Sequence, residues 1–215
     1  AGAGGPWADV GCRRIRAGEG LSMDGELSAL RDALYAEGRE HDAPLADRLL
    51  RRRNMTPAAA ALVATLIRVQ GGTAVLEIGA SNGYAALWFA EAVRDTGGRL
   101  TTVDVDAARV AEARRNLERG GLAGYAEVRH GDGGAVLEQT PAGSLDLVVL
   151  DAERPAYPGY LPALRRALRP HGVIAVDNAV SHRDQVLPFE QLLRATGEFA
   201  VEVHEVGDGV LTAVR

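Results

Sequence analysis

The sequence of 215 residues has one cysteine, no long apolar run and no excess of positive charge, and each of these absences excludes a class of protein. The single cysteine, Cys12, cannot form an intramolecular disulfide framework or a zinc site built on cysteines, and it suits a reducing, cytoplasmic setting. No apolar run reaches the roughly 18 residues of a membrane span, and we also expect no signal peptide. Because the formal net charge is −5, there is no global basic field, and we expect neither a membrane nor a nucleic acid partner.

Two segments near the N-terminus are less informative. Residues 1–22 are rich in glycine and have no pattern, so we interpret them as a disordered extension or cloning remnant, followed by one domain over residues 23–215. Arg48 and residues 51–53 form the one basic cluster. We interpret this cluster as the solvated end of a short helix over residues 45–53, and a phosphate or RNA contact is the alternative.

From residue 73 onward, short apolar runs alternate with segments of helical spacing. The first run, residues 73–78, stops at Gly79, and Gly83 opens an alanine-rich helical pattern. This alternation predicts parallel strands joined by right-handed crossovers. Residues 206–209 predict a hairpin, which adds an antiparallel strand at one edge. The sequence therefore predicts an α/β fold with a mostly parallel sheet and helices on both faces.

Acidic residues stand where the predicted strands end. Asp104, Asp151 and Asp177 each follow an apolar strand. The carboxyl ends of parallel strands share one edge of a sheet, and ligands bind there, so we favour a functional site over three separate helix caps. Asp104 is placed to accept hydrogen bonds from the ribose of a nucleoside cofactor.

The turn after the first strand narrows the choice of cofactor. It reads Gly-x-x-x-Gly, so the dinucleotide fingerprint is broken, and no Gly-Lys-Ser/Thr phosphate loop is present. Glu77, just before the turn, would repel a pyrophosphate but suits a cofactor with an amine or a sulfonium. S-Adenosylmethionine meets that requirement.

Oxygen-donor side chains also favour a cation. Asp151, Asp177 and Asn178 offer two carboxylates and an amide oxygen, which suit Mg²⁺ or another hard divalent cation. The alternative is that Asp177 and Asn178 form an ordinary polar turn after a buried strand.

At these residues the chain resembles the cation-dependent class I O-methyltransferases, the group of catechol and caffeoyl-CoA O-methyltransferases. The matching stretches are residues 53–56, 75–84, 101–106, 131–134, 145–154, 176–178 and 207–209. The resemblance implies a Rossmann-like class I methyltransferase fold with a seven-stranded sheet, an antiparallel C-terminal hairpin and extra N-terminal helices. It also implies a homodimer.

The resemblance further implies roles for individual residues. Those expected around S-adenosylmethionine are Met55, Glu77, Gly79, Ser81, Tyr84, Ala85, Asp104, Val105, Asp132, Gly133 and Asp151. Asp151, Asp177 and Asn178 are expected to bind the cation. The family often has a lysine base at the position of Arg154, and an arginine cannot abstract a proton. Asp151 and Arg154 remain the expected catalytic residues, with His182 as a candidate base.

These observations predict an S-adenosylmethionine-dependent O-methyltransferase, assisted by a divalent cation, that acts on a small catechol-like or vicinal-oxygen acceptor. Three alternatives stay open at this point: a methyltransferase for the wobble uridine of tRNA, a small-molecule methyltransferase that needs no metal, and a non-catalytic nucleotide-binding module.

Overall fold

The computed structural model describes residues 21–47 and 50–215. Within these ranges the α-helices are α1 (Leu21–Asp42), α2 (Pro57–Val69), α3 (Tyr84–Thr96), α4 (Ala107–Arg119), α5 (Gly133–Gln139), α6 (Tyr157–Ala167) and α7 (Arg183–Ala195). The strands are β1 (Ala74–Ile78), β2 (Arg99–Asp104), β3 (Ala126–His130), β4 (Leu145–Leu150), β5 (Leu168–Asp177), β6 (Ala200–His204) and β7 (Val210–Val214). The disorder predicted for residues 1–22 lies outside the described residues, except that α1 already includes the last two.

The strands form one sheet in the order β3-β2-β1-β4-β5-β7-β6. Pairing is parallel from β3 to β5, and β7 is antiparallel to both β5 and β6. The predicted Rossmann-like fold, with its antiparallel C-terminal hairpin, is confirmed. The strand order reverses between β1 and β4, so the carboxyl ends of these two strands border the crevice in which open α/β sheets bind ligands.

The apolar side chains of the described residues form a core on each face of the sheet. Side chains alternate along a strand, so that Val75 and Leu76 of β1 belong to different cores. Helices α1 to α4 contribute to the first core, and α5 to α7 contribute to the second. No helix in the part of the chain that the structure describes is both long and apolar enough to cross a membrane.

Short polar signals begin the helices that frame the site. Thr56 caps α2 by accepting the amide of Ala59 at 3.3 Å, and Pro57 occupies the first helical position. Asp106 caps α4 by accepting the amide of Ala108 at 2.7 Å. Both helices start at the edge of the sheet where the strands end.

The short helix predicted over residues 45–53 is wrong for the part of that segment that the structure describes, which is irregular. The carboxylate of Asp42 accepts the backbone amides of Arg52 and Arg53 at 2.7 and 2.8 Å. Ser81, in the glycine turn, donates its hydroxyl to the Arg52 carbonyl at 2.7 Å. These bonds take the backbone out of a helical path and fix it beside the turn.

Candidate active site

A cavity of about 420 Å³ opens at the carboxyl ends of β1, β2 and β4. It lies at the reversal of strand order, where the fold is expected to bind a ligand. The predicted cofactor residues on its wall are Gly79, Ser81, Asp104, Val105, Asp132, Gly133 and Asp151. We call this space the cofactor cavity.

The turn after β1 needs glycine because two backbone segments meet there. Gly79 has φ 111°, and a Cβ atom at this position would lie 2.0 Å from the carbonyl oxygen of Asp151. Gly83 has φ 81°, and its Cβ would lie 2.8 Å from the Cα of Ala113 in α4. The two glycines therefore let the end of β4 and helix α4 close around the turn.

Asp104 joins the end of β2 to this turn. Its two carboxylate oxygens accept the amides of Ser81 at 2.9 Å and of Asp106 at 3.0 Å. These bonds fix the carboxylate on the cavity wall. Each oxygen retains a second lone pair, so Asp104 can also accept the hydrogen bonds of ribose hydroxyls.

Four of the predicted cofactor residues are buried and do not line the cavity: Met55, Glu77, Tyr84 and Ala85. Glu77 is completely buried, and Thr102 donates its hydroxyl to Glu77 Oε2 at 2.5 Å. Glu77 Oε1 has no hydrogen-bond partner among the described residues. Burial, together with the charges of Asp151 and Asp104, raises the pKa of Glu77 to about 8, although the bond from Thr102 opposes this.

Asp151 and Asp177 follow neighbouring strands and act on each other electrostatically. Burial raises the pKa of Asp151 to about 6, against the positive charges of Arg53 and Arg154. Burial and the charge of Asp151 raise the pKa of Asp177. Asn178 donates its amide to Asp177 Oδ2 at 2.7 Å. The three predicted cation ligands thus form one polar cluster, of which Asp151 lines the cofactor cavity.

The chemistry of this cluster suits a hard cation. Asp177 Oδ1 is buried and has no hydrogen-bond partner in the described part of the chain, and two repelling carboxylates are stabilised by a divalent charge. Among residues 21–47 and 50–215, no group of three or more His, Cys, Asp or Glu side chains is arranged to hold a metal. The cluster differs from such a group because its third member is the amide of Asn178.

Arg154 is buried next to Asp151 and Asp177. Its exposed fraction is 3%, and its Nε donates to Gln185 Oε1 at 2.9 Å. Its positive charge opposes the rise in pKa of both Asp151 and Asp177. Tyr157 holds the same loop, because its hydroxyl bonds both the amide and the carbonyl of Ala152, at 2.8 and 3.0 Å. Arg154 is thus a fixed positive charge within the site.

His182 directly precedes α7 and is exposed. Its Nδ1 lies 3.0 Å from the hydroxyl of Ser181, and it does not line the cofactor cavity. The structure therefore places this candidate base outside the cavity, and its role as a base stays a prediction.

The basic cluster is incorporated into the site. Residues 51–53 are half-buried, so their interpretation as a solvated helix end is wrong, and Arg48 lies outside the described residues. Arg52 pairs with Glu112 at 2.7 Å, and Arg53 pairs with Glu153 at 3.3 Å. Both arginines line the cofactor cavity.

A second cavity, of about 330 Å³, lies between the C-terminal part of α1, residues 51–56 and Asp208 of the hairpin turn. We call it the outer cavity. Its wall carries three arginines and two aspartates: Arg39, Arg51, Arg53, Asp42 and Asp208.

The residues on the wall of the cofactor cavity that sequence reasoning missed include Arg109, Glu153 and Tyr160. Arg109 lies one helical turn after Asp106, the cap of α4, so helical spacing offered a signal for it. The ring of Tyr160 covers Gly134, where a Cβ atom would lie 2.7 Å from Tyr160 Cε1. No local pattern signalled that contact.

The fold and the position of the cavity place the chain among the class I methyltransferases, and three comparisons agree. An O-methyltransferase of Bacillus cereus, solved in complex with SAH, superposes with a TM-score of 0.70 and 22% identity over 89% of this chain and 91% of that one. A putative O-methyltransferase of Mycobacterium tuberculosis is 32% identical over 212 residues, 92% of each chain. A catechol O-methyltransferase of Niastella koreensis is 34% identical over 109 residues, 49% of each chain.

A family model described as O-methyltransferase matches residues 26–203. The match covers most of the chain, from α1 to the hairpin. The protein therefore belongs to the O-methyltransferase family.

Proposed function

We propose that the protein transfers the methyl group of S-adenosylmethionine to an oxygen of a small acceptor with two neighbouring oxygens, with the help of a divalent cation. The observation that carries this proposal is the placement of Asp104, Asp151 and Asp177 along one edge of the sheet, around the glycine turn. The catechol acceptor named for the Niastella koreensis relative supports the choice of acceptor.

The charges on the wall of the cofactor cavity favour a cationic ligand. Its carboxylates are Asp104, Asp106, Asp132, Asp151 and Glu153. It also carries three arginines, Arg52, Arg53 and Arg109, of which Arg52 pairs with Glu112 and Arg53 with Glu153. A pyrophosphate would meet mostly negative charge here, whereas a sulfonium and an ammonium are complementary to it.

S-Adenosylmethionine supplies a methyl group on a positively charged sulfur, which makes that carbon electrophilic. The acceptor oxygen forms a bond to this carbon, the carbon–sulfur bond breaks, and its electron pair stays on sulfur. The hydroxyl proton leaves to solvent. Because the chemistry joins an oxyanion and a cation, most of the work of the protein is to position the two groups and to stabilise the oxyanion.

Asp151, Asp177 and Asn178 would hold the divalent cation, which supplies a Lewis acid that lowers the pKa of a bound hydroxyl. Arg154 adds a permanent positive charge beside them, which also favours the ionised hydroxyl. Tyr157 keeps the loop that carries Arg154 in place through its bonds to Ala152.

The experiment compares wild type and Asp177→Asn with S-adenosylmethionine and catechol, in Mg²⁺ and in EDTA. We expect methyl transfer by wild type in Mg²⁺ and a large loss in EDTA or in the variant. Full activity of the variant in EDTA would refute the cation and leave a metal-independent methyltransferase. Failure of calorimetry to detect binding of S-adenosylmethionine would refute the methyltransferase and favour a non-catalytic module.

The tRNA alternative loses its main support, because residues 51–53 are half-buried and bonded within the fold. Steep salt dependence of tRNA binding would restore it. The homodimer and the cytoplasmic setting stay predictions, and light scattering of the purified protein tests the first.

A further inference from the structure

The outer cavity adjoins the proposed cation site. Asp208, on its wall, accepts the amides of Val180 and Ser181 through its backbone carbonyl at 3.0 and 2.9 Å. Val180 and Ser181 lie in the same short loop as Asn178. The charge of Asp208 also contributes to the raised pKa of Asp177, so this wall of the outer cavity lies close to the carboxylate pair.

Arg53 lines both the cofactor cavity and the outer cavity. Its backbone has φ 52°, a left-handed conformation that is uncommon outside glycine. The bond from its amide to Asp42, at 2.8 Å, holds the residue in this conformation. Strain of this kind persists only where surrounding contacts impose it, and it often marks a functional site.

The guanidinium of Arg53 has donor capacity to spare. Its Nη1 lies 3.3 Å from Oε1 of Glu153, a long bond to a side chain that is 51% exposed. Its Nε is buried and has no hydrogen-bond partner in the described ranges. A guanidinium carries five donors in a planar fork that matches a carboxylate, so Arg53 presents an incomplete site for such a group.

The rest of the outer cavity favours a negative ligand. Three arginines face two aspartates on its wall. Asp42 accepts the neutral backbone amides of Arg52 and Arg53, which leave its negative charge in place. Three arginines against two aspartates give the wall a small positive excess.

We propose that Arg53, on the wall of both cavities, binds a carboxylate of the methyl acceptor, so that the protein prefers aromatic diols that carry a carboxylate. This proposal rests on the proposed function, because the reacting oxygens must lie at Asp151 and Asp177. The carboxylate of the acceptor would replace the carboxylate of Glu153 as the partner of the Arg53 guanidinium.

The test uses two acceptors with the same diol and different charge, 3,4-dihydroxybenzoate and 3,4-dihydroxybenzamide. For Arg53→Gln we expect kcat/KM on the benzoate to fall on the order of 10- to 100-fold, mainly through KM, because a charge-assisted hydrogen bond is lost. The benzamide should change far less. Glu153→Gln should raise kcat/KM on the benzoate, since it removes the competing carboxylate.

The matched control is Arg129→Gln, which removes a surface arginine that pairs with Glu127 and should leave both acceptors unchanged. If Arg53 only braces the fold, both Arg53→Gln and Glu153→Gln will lower activity on the two acceptors equally. That result would overturn the proposal, as would a wild type that does not favour the benzoate.

Calorimetry separates this proposal from the function on which it rests. The benzoate is titrated into wild type and Arg53→Gln, each loaded with S-adenosylhomocysteine and Mg²⁺, so that no turnover occurs. If the variant binds the benzoate more weakly and the benzamide equally well, the proposal is supported. If neither acceptor is methylated as well, the proposed function is refuted, but the binding role of Arg53 is not. Equal binding of the benzoate to both proteins overturns the proposal.

Discussion

Replacing Glu77 by glutamine should change how the stability of the protein depends on pH. Burial raises the pKa of Glu77 from its ordinary value of 4.5 to about 8, so the folded protein keeps a proton that the unfolded chain loses. The free energy of unfolding is then highest below pH 4.5 and falls as the pH rises toward 8, by about 1.4 kcal/mol for each pH unit. Across the whole interval this amounts to at most about 5 kcal/mol.

Glu77→Gln keeps the shape and removes the ionisation. The free energy of unfolding of the variant minus that of wild type should therefore increase between pH 5 and pH 8 and stay constant above that range. Urea unfolding of the cofactor-free protein, followed by circular dichroism at pH 5 to 9, measures the difference. Glu198→Gln is the control, because Glu198 pairs with Arg165 at the surface and its pKa is lowered, so its difference should stay flat.

A difference between Glu77→Gln and wild type that is the same at pH 5 and pH 9 would refute the reasoning. It would mean that Glu77 is ionised at low pH in the folded protein. In that case water or a cation would have to reach Glu77 Oε1, which has no partner among the described residues.

Other contacts of the site give predictions that are simpler to test. Gly79→Ala should lower the thermal unfolding midpoint more than Gly97→Ala. Both glycines have positive φ, 111° and 75°, but only at position 79 would the added Cβ atom lie within 4 Å of another residue. Tyr157→Phe should reduce the free energy of unfolding by about 1–3 kcal/mol, because the amide and carbonyl of Ala152 lose their partner, and urea unfolding measures this. Binding of S-adenosylmethionine at pH 7 should release a proton if its ammonium pairs with Glu77; calorimetry in two buffers measures the release, and equal heats would argue against the pairing.

The fold was predictable because its signals are local. The apolar run at residues 73–78, which stops at Gly79, contains β1 and ends where that strand ends. Parallel topology then brings every strand end to one edge, so Asp104, Asp151 and Asp177 could be grouped without knowledge of their contacts.

The burial of Glu77 could not be predicted in the same way. Its place just before the glycine turn indicated a residue around the cofactor, and that role stays a prediction. Side chains alternate along β1, and Glu77 is buried and bonded to Thr102 of the neighbouring strand. These surroundings depend on the pleat and on the neighbouring strand, which the local sequence does not show.

The packing of residues 51–53 could not be predicted, because it depends on contacts between distant parts of the chain. Arg52 pairs with Glu112, 60 residues away, and Arg53 pairs with Glu153, 100 residues away. A run of arginines looks the same in sequence whether it is solvated or held by such partners. The bonds of Asp42 to two backbone amides, which replace the predicted helix, were equally invisible.

The basic residues of this chain are all arginine: 24 of them, with no lysine. Arginine keeps its proton in proteins, so neither Arg154 nor Arg53 can take up the proton of an acceptor hydroxyl. In the proposed reaction, their contribution to ionising the hydroxyl would be the fixed positive charge that they place beside Asp151. Such charge favours an oxyanion without a proton transfer, so we expect the site to act on the acceptor mainly through electrostatics and positioning.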